Sequence, residues 1–294
     1  MSLKVELTTF AGGLRSEEIR SAVFLRLVGF VVRPVLPNRF LDPWQLLNPR
    51  EAWVTIMVVA GLGFVNYVLL RIYGSRGLYF MALLGGLVNS SATVGELSNR
   101  LAQADGLMSM AVPVVLLTTV AMLLRNLLIL VLFSLAAAPV AVWPMLAMAA
   151  GAIFMAWRRW DGTPHPAGEL TLCSPVSLRK VLSFGMLFIV ITAIGTSGAR
   201  FLGKYGFLIV SLFGGLVSSA STTAAAANLS VHGRPSSPAA AVAAILASVA
   251  SAMMNLPVLY RQTCRKEETR TLSAISFVLV LIGLAVLLIR EHPW

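Results

Sequence analysis

The chain has 294 residues; 57% are hydrophobic, only 12% are charged, and the mean hydropathy is +0.83. Soluble domains are nearer roughly half apolar and a quarter charged, so this composition excludes a disordered or collagen-like chain and argues strongly against a soluble enzyme. A net charge of +11 would suggest nucleic acid in a soluble protein. Here most Lys and Arg flank apolar segments, where they orient a membrane protein and meet anionic lipid headgroups. No basic surface interleaved with aromatics stands out, so no nucleic-acid partner is expected.

The chain opens on Lys4, Glu6, Glu17 and Glu18, which does not read as a cleaved signal peptide. Ser16 is a candidate N-cap with acids in the first turn, and the run that follows carries Arg26 and Arg33. We read 16–33 as a first membrane helix whose arginines snorkel, the alternative being a helix that lies in the interface. Pro37, Asn38, Asp42 and Pro43 mark a loop. Apolar segments follow at about 52–72, 77–97, 107–134 and 137–157, then a polar loop at 158–177. Further apolar segments lie at about 178–199, 205–229, 237–260 and 272–289, with the polar stretch 261–270 before the last. Backbone in lipid must satisfy itself internally and strand alternation is absent, so every span reads as helix.

Laid on itself with Arg71 against Arg200, the sequence repeats. RIYGSRGLYFMALLGGLVNSSATVGELSNRL at 71–101 faces RFLGKYGFLIVSLFGGLVSSASTTAAAANLS at 200–230, with 11 of 31 positions identical. The same offset pairs Asn126-Leu127 with Asn255-Leu256 and Arg50 with Arg179. One unit runs from about 44 to 134 and its copy from about 173 to 263. The organisation expected is therefore a single membrane domain: 1–43 with the first helix, 44–157 with repeat 1 and a connecting helix, and 158–294 with repeat 2 and a C-terminal helix. The fold class is all-α and polytopic, with about 7–9 membrane segments.

Each unit carries an odd core. Residues 77–88 are nearly all apolar, about half of what a bilayer needs. Asn89-Ser90-Ser91-Ala92-Thr93 follows the pair Gly85-Gly86, and Ser218-Ser219-Ala220-Ser221-Thr222-Thr223 follows Gly214-Gly215. Paired interruptions at matching points of two repeats point to a binding site in transporter folds. The competing reading is that small residues pack helices tightly and Ser/Thr bond back to their own turn. If every segment spans, the repeats are parallel, and Lys/Arg divide 11 to 10 between the two sides. If 77–97 and 205–229 are broken, re-entrant helices, seven spans remain and the repeats are inverted. Lys/Arg then divide 14 to 7, with the N-terminus on the rich side. The positive-inside rule favours inverted repeats with a cytoplasmic N-terminus.

Glu96 is the single acid inside an apolar segment, three residues after Thr93; its counterpart is Ala225. A carboxylate there is costly and reads as a coupling group, or as a solvated end residue near Arg100. Arg125, mid-segment in LLRNLLIL, is placed to pair with Glu96, to attract an anionic substrate or to snorkel. Asn126 and Asn255 are repeated amides, packing glue or part of a site. Two unclustered cysteines and three loop histidines form no recognisable metal site. With no Gly-x-Ser-x-Gly, paired carboxylates or phosphate-binding loop, neither enzyme activity nor a cofactor is expected.

LNPREAWVTIMVVAGLGFVNYVL at 47–69, GLYFMALLGGLVNSSATVGELSNRL at 77–101 and GFLIVSLFGGLVSSASTTAAAANLS at 206–230 carry a family likeness. From about Ser16 to Arg290 the chain resembles the domain of unknown function that follows the MgtC-type domain in MgtC/SapB-family membrane proteins. That resemblance implies a bacterial or archaeal inner-membrane protein loosely associated with magnesium homeostasis, and no established activity. No MgtC-type domain is expected within these 294 residues, and Ser-Ser-Ala-Ser-Thr-Thr stands where acidic residues are expected in many relatives.

The leading expectation is a transporter or channel for a small ion or solute. Asn89, Ser90, Ser91, Thr93, Glu96, Arg125, Asn126, Ser218, Ser219, Ser221, Thr222 and Asn255 would line its site. The alternatives are a membrane scaffold or regulator and a lipid-headgroup handler. Lipids are expected partners, and the Gly/Ser faces permit a homo-oligomer.

Overall fold

The structure, a computed structural model, describes residues 23, 27, 30–39, 48–73, 78–103, 108–159, 178–231 and 236–291. His165, His232, His292, Cys173 and most of the expected first helix lie outside the described residues. The described residues form helices and connecting turns, with no strand.

From residue 48 onward the described residues build seven long helices: α1 (Pro49–Tyr73), α2 (Leu78–Gln103), α3 (Ala111–Phe133), α4 (Ala138–Trp157), α5 (Leu178–Val231), α6 (Ser237–Thr263) and α7 (Lys266–Glu291). Among the described residues six stretches are long and apolar enough to cross a membrane: 78–102, 108–133, 138–157, 205–231, 237–263 and 266–289. This is a multi-pass membrane protein.

The start of α1 shows how local sequence fixes an element. Asn48 Oδ1 accepts from the Arg50 N–H at 3.1 Å, Pro49 takes the first helical position, and Asn48 Nδ2 donates to Glu51 Oε1 at 3.1 Å. An Asn cap, a proline with no N–H to leave unsatisfied and a glutamate in the first turn together define a helix N-terminus. Arg50 also donates through Nε and Nη2 to the Leu36 carbonyl, at 3.2 and 3.0 Å, tying α1 to the helical turn at 31–35.

Helix α3 is the axis of the fold. Residues 111–123 are buried on every side, and α3 packs against α2, α4, α5 and α6. A helix apolar all round belongs in such a place. Helices α4 and α7 pack together, with Trp143, Phe154, Trp157, Phe277, Leu281 and Leu288 exposed on them. Exposed bulk of this kind suits contact with acyl chains.

Two of the helices are not continuous. At Asn89 the backbone of α2 has φ −158° and ψ 106°; at Ser218 that of α5 has φ −158° and ψ 103°. Both are extended conformations, and the chain doubles back at each. A Cβ built on Gly85 would lie 3.3 Å from Thr93 Cβ, whereas eight residues of straight helix rise about 12 Å. A Cβ on Gly214 would likewise lie 2.7 Å from Thr222 Oγ1. A third reversal occurs at Gly203, whose φ of 61° and ψ of −150° suit glycine alone. Beyond it, the Gly206 carbonyl oxygen comes within 3.1 Å of a Cβ built on Gly198. Helix α5 is thus three arms, 178–202, 204–217 and 219–231, and α2 is two, 78–88 and 90–103.

Candidate functional site

The reversals at Asn89 and Ser218 are each capped by the residue that makes them. Asn89 Oδ1 accepts from the Ala92 N–H at 3.1 Å, and Ser218 Oγ accepts from the Ser221 N–H at 3.3 Å and meets Ser221 Oγ at 3.0 Å. The donor is the third residue of the new arm in both, so Asn89 and Ser218 are N-caps. Thr93 Oγ1 donates to the Asn89 carbonyl at 2.8 Å and Thr222 Oγ1 to the Ser218 carbonyl at 2.9 Å. The hydroxyls of Thr93 and Thr222 therefore bond back to their own turns, one of the two roles the sequence left open.

The paired glycines have distinct duties. Gly85 and Gly214 face the threonine of the returning arm. Gly86 and Gly215 face the next helix. A Cβ on Gly86 would sit 2.7 Å from the Thr118 carbonyl oxygen, and one on Gly215 would collide with the Ala247 backbone. Thr118 and Ala247 are themselves counterparts under the repeat offset, so each hairpin presses the same glycine against the same point of the helix that follows it. Thr118 Oγ1 adds a long hydrogen bond to the Ala82 carbonyl, at 3.3 Å.

Arg125 joins the two breaks. From α3 its Nη1 donates to the Val88 carbonyl at 3.2 Å, the last carbonyl before the first break. Its Nη2 lies 3.4 Å from Ser219 Oγ, the residue just after the second break, and 3.5 Å from Asn126 Oδ1. Asn126, fully buried, donates through Nδ2 to Ser248 Oγ of α6 at 3.0 Å. One guanidinium thus touches Val88 of one hairpin and Ser219 of the other, a relation that no spacing in the sequence reveals.

Of the other expected residues, Ser90, Ser219, Ser221 and Thr222 are buried, Ser91 and Ser218 are half-buried, and Asn89 is exposed. Asn255 is 0% exposed, and neither Oδ1 nor Nδ2 has a hydrogen-bond partner. Glu96 pairs with Arg100 Nε at 2.8 Å, four residues along its own arm, and no contact joins it to Arg125. The sequence reading passed over Thr118 and Ser248. Ser248 is the repeat counterpart of Thr119, and both hydroxyls donate to the carbonyl one turn back, so the repeat itself carried that signal. Among the described residues no group of three His, Cys, Asp or Glu is arranged to hold a metal. Hydroxyls, amides and one guanidinium can bind a small polar or charged species and show no nucleophile–base pair.

No curated protein and no solved structure matches the chain. A family model described as "Domain of unknown function (DUF4010)" matches residues 57–261, which takes in both breaks, Arg125, Asn126 and Asn255. The chain belongs to that family.

Proposed function

We propose that the protein is a membrane transporter or channel for a small ion or solute, with its site where the breaks at Asn89 and Ser218 meet. The observation that carries this reading is the reach of Arg125 to Val88 and to Ser219. Two capped reversals of nearly identical backbone geometry, at matching points of the two repeats, meet at one polar point inside an apolar bundle. Discontinuous helices are tolerated at membrane depth where they are buried in protein or line a polar cavity.

In this reading the two units are inverted repeats and the hairpins are re-entrant. The arm 78–88 makes about 16 Å of helix, about half of a hydrocarbon core of about 30 Å. An arm of that length that turns back ends near the midplane. Hairpins entering from opposite faces would bring their tips together there, as Arg125 requires. The 14-to-7 division of Lys and Arg supports the same topology, with a cytoplasmic N-terminus.

Ser90, Ser91, Thr93, Ser219, Ser221 and Thr222 would line the site, and Asn89, Ser218, Asn126 and Asn255 would hold its shape or orient the substrate. Glu96 enters the reading as a coupling group. Glu96→Gln should then change the pH dependence of transport, and an unchanged profile removes Glu96 from it. The likeness to MgtC/SapB-associated domains adds a loose tie to magnesium. Mg²⁺ prefers carboxylates and water, whereas the residues gathered here are hydroxyls, amides and a guanidinium.

The test is flux into liposomes holding the purified chain, across cations, anions and protons, for wild type and for Ser90→Leu with Ser219→Leu. Flux lost in the folded double variant supports a path between the breaks. Absence of flux for every ion, with folded wild type, moves the weight to a scaffold, which would instead show lost assembly in the same variant.

A further inference from the structure

We propose that the meeting point of the two hairpins is an anion site, built on the guanidinium of Arg125 and the N-terminal ends of the arms 90–103 and 219–231. This rests on the reading of that point as a substrate site and names the substrate's class.

Among the described residues no carboxylate pairs with Arg125. Its three contacts are all to neutral groups: the Val88 carbonyl, Asn126 Oδ1 and Ser219 Oγ. Two of these are long, 3.4 and 3.5 Å, at the edge of hydrogen bonding. Its Nε is buried with no partner. A guanidinium has five N–H donors in a planar fork suited to oxyanions, and here Nε is unspent and both Nη2 contacts are long. Glu96, the acid of the nearer hairpin, is held by Arg100 at 2.8 Å. A cation inside a membrane protein, without a carboxylate, is costly unless something neutralises it.

The Val88 carbonyl, at the C-terminal end of the arm 78–88, offsets part of that charge, and the N-terminal ends of the arms that follow the breaks add to it. Arms beginning after Asn89 and Ser218 point N–H groups outward from their first turns, and each cap takes up one of them, at Ala92 and at Ser221. The remaining donors and the partial positive charge of two helix N-termini favour an anion. Asn255 is fully buried with neither amide atom partnered. It is the repeat counterpart of Asn126, which touches Arg125. An amide whose donor and acceptor are both unpartnered in an apolar bundle demands an explanation, and a bound ligand is one. The ligand is therefore a small anion, free in solution or the phosphate of a lipid headgroup.

The experiment is thermal unfolding of the full-length protein in neutral detergent. Sodium chloride, nitrate, sulfate and phosphate are titrated at constant ionic strength, with magnesium and potassium salts of a bulky anion in parallel. We expect a saturable rise in midpoint with at least one inorganic anion, lost in Arg125→Gln and kept at weaker affinity in Arg125→Lys. A rise with phosphatidylglycerol alone assigns the anion to a headgroup phosphate and supports the same site. A rise with cations only, no response to any anion or anionic lipid, or an equal anion response in Arg125→Gln overturns the inference. Should Arg125→Gln fail to fold, Arg125→Lys and Ser219→Val must shift the half-saturating concentration upward, and unshifted values overturn it. Flux separates this inference from the transport reading. Anion-dependent stability without flux leaves the site and removes transport, whereas cation flux without an anion response does the reverse.

Discussion

Asn89 and Ser218 occupy the same point of two helical hairpins: φ is −158° at both, ψ is 106° and 103°, and each side chain caps the N–H three residues on. Asn and Ser are both strong N-caps, so one job is done by two side chains. Asn89→Ala and Ser218→Ala should each lower stability by about 1 kcal/mol, whereas the exchanges Asn89→Ser and Ser218→Asn should cost only a few tenths. Thermal unfolding in detergent decides this. An exchange as damaging as the alanine would show that capping is not what these residues do.

Gly86 and Gly215 press their hairpins against Thr118 and Ala247. The obstacle at each is backbone, which cannot rotate away. Gly86→Ala and Gly215→Ala should each cost about 1–3 kcal/mol as overpacked contacts. Gly61 is a helical glycine with nothing within 4 Å of an added Cβ. Gly61→Ala should be neutral or stabilising by up to about 1 kcal/mol. Unfolding midpoints of the three variants give the comparison, and equal losses at all three would refute the assignment.

Asn126 and Asn255 match in sequence and differ in bonding. Asn126 donates to Ser248 Oγ at 3.0 Å, while both amide atoms of Asn255 lack partners. Asn126→Leu should therefore destabilise the protein by about 1–3 kcal/mol. Asn255→Leu should be near neutral or stabilising, because it removes a buried polar group that nothing satisfies. If Asn255 serves a ligand, the same variant should lose ligand-dependent stabilisation while gaining intrinsic stability, a trade common at binding sites. Unfolding with and without the stabilising salt reads both quantities.

The topology has a direct test. With Cys173 and Cys264 replaced by serine, Gly162→Cys in the polar stretch 158–177 of the sequence should be labelled from the cytoplasmic face, as the inverted arrangement requires. Labelling from outside alone would mean that the hairpins cross the membrane and the repeats are parallel.

Much of this architecture is legible along the chain. Apolar runs of about 20 residues or more locate the membrane helices, because the bilayer sets their length and the backbone must satisfy itself. The polar interruptions after Gly85-Gly86 and Gly214-Gly215 coincide with the breaks observed at Asn89 and Ser218. The sequence could be read this far because capping is local chemistry: a side chain three residues from its N–H partner needs no distant contact. The Asn48-Pro49-Arg50 signature is local in the same sense, although its second partner, Leu36, is not.

Long-range relations stayed hidden. Arg125 was open to a partnership with Glu96, but Glu96 has its partner one turn away in Arg100, and Arg125 reaches Ser219, 94 positions along the chain. The bonded state of Asn126 and the unbonded state of Asn255 could not be told apart either, since the two dipeptides are identical. By itself, then, the sequence determined the solvent this protein lives in and the place of its apolar helices, and it marked the two polar interruptions at which the structure breaks its helices. All of these follow from local hydropathy and local backbone chemistry. Only the tertiary structure decided that the restarted arms fold back and that one arginine bridges them. Those outcomes depend on which helices pack together, and packing is settled by shape and contact between residues far apart along the chain.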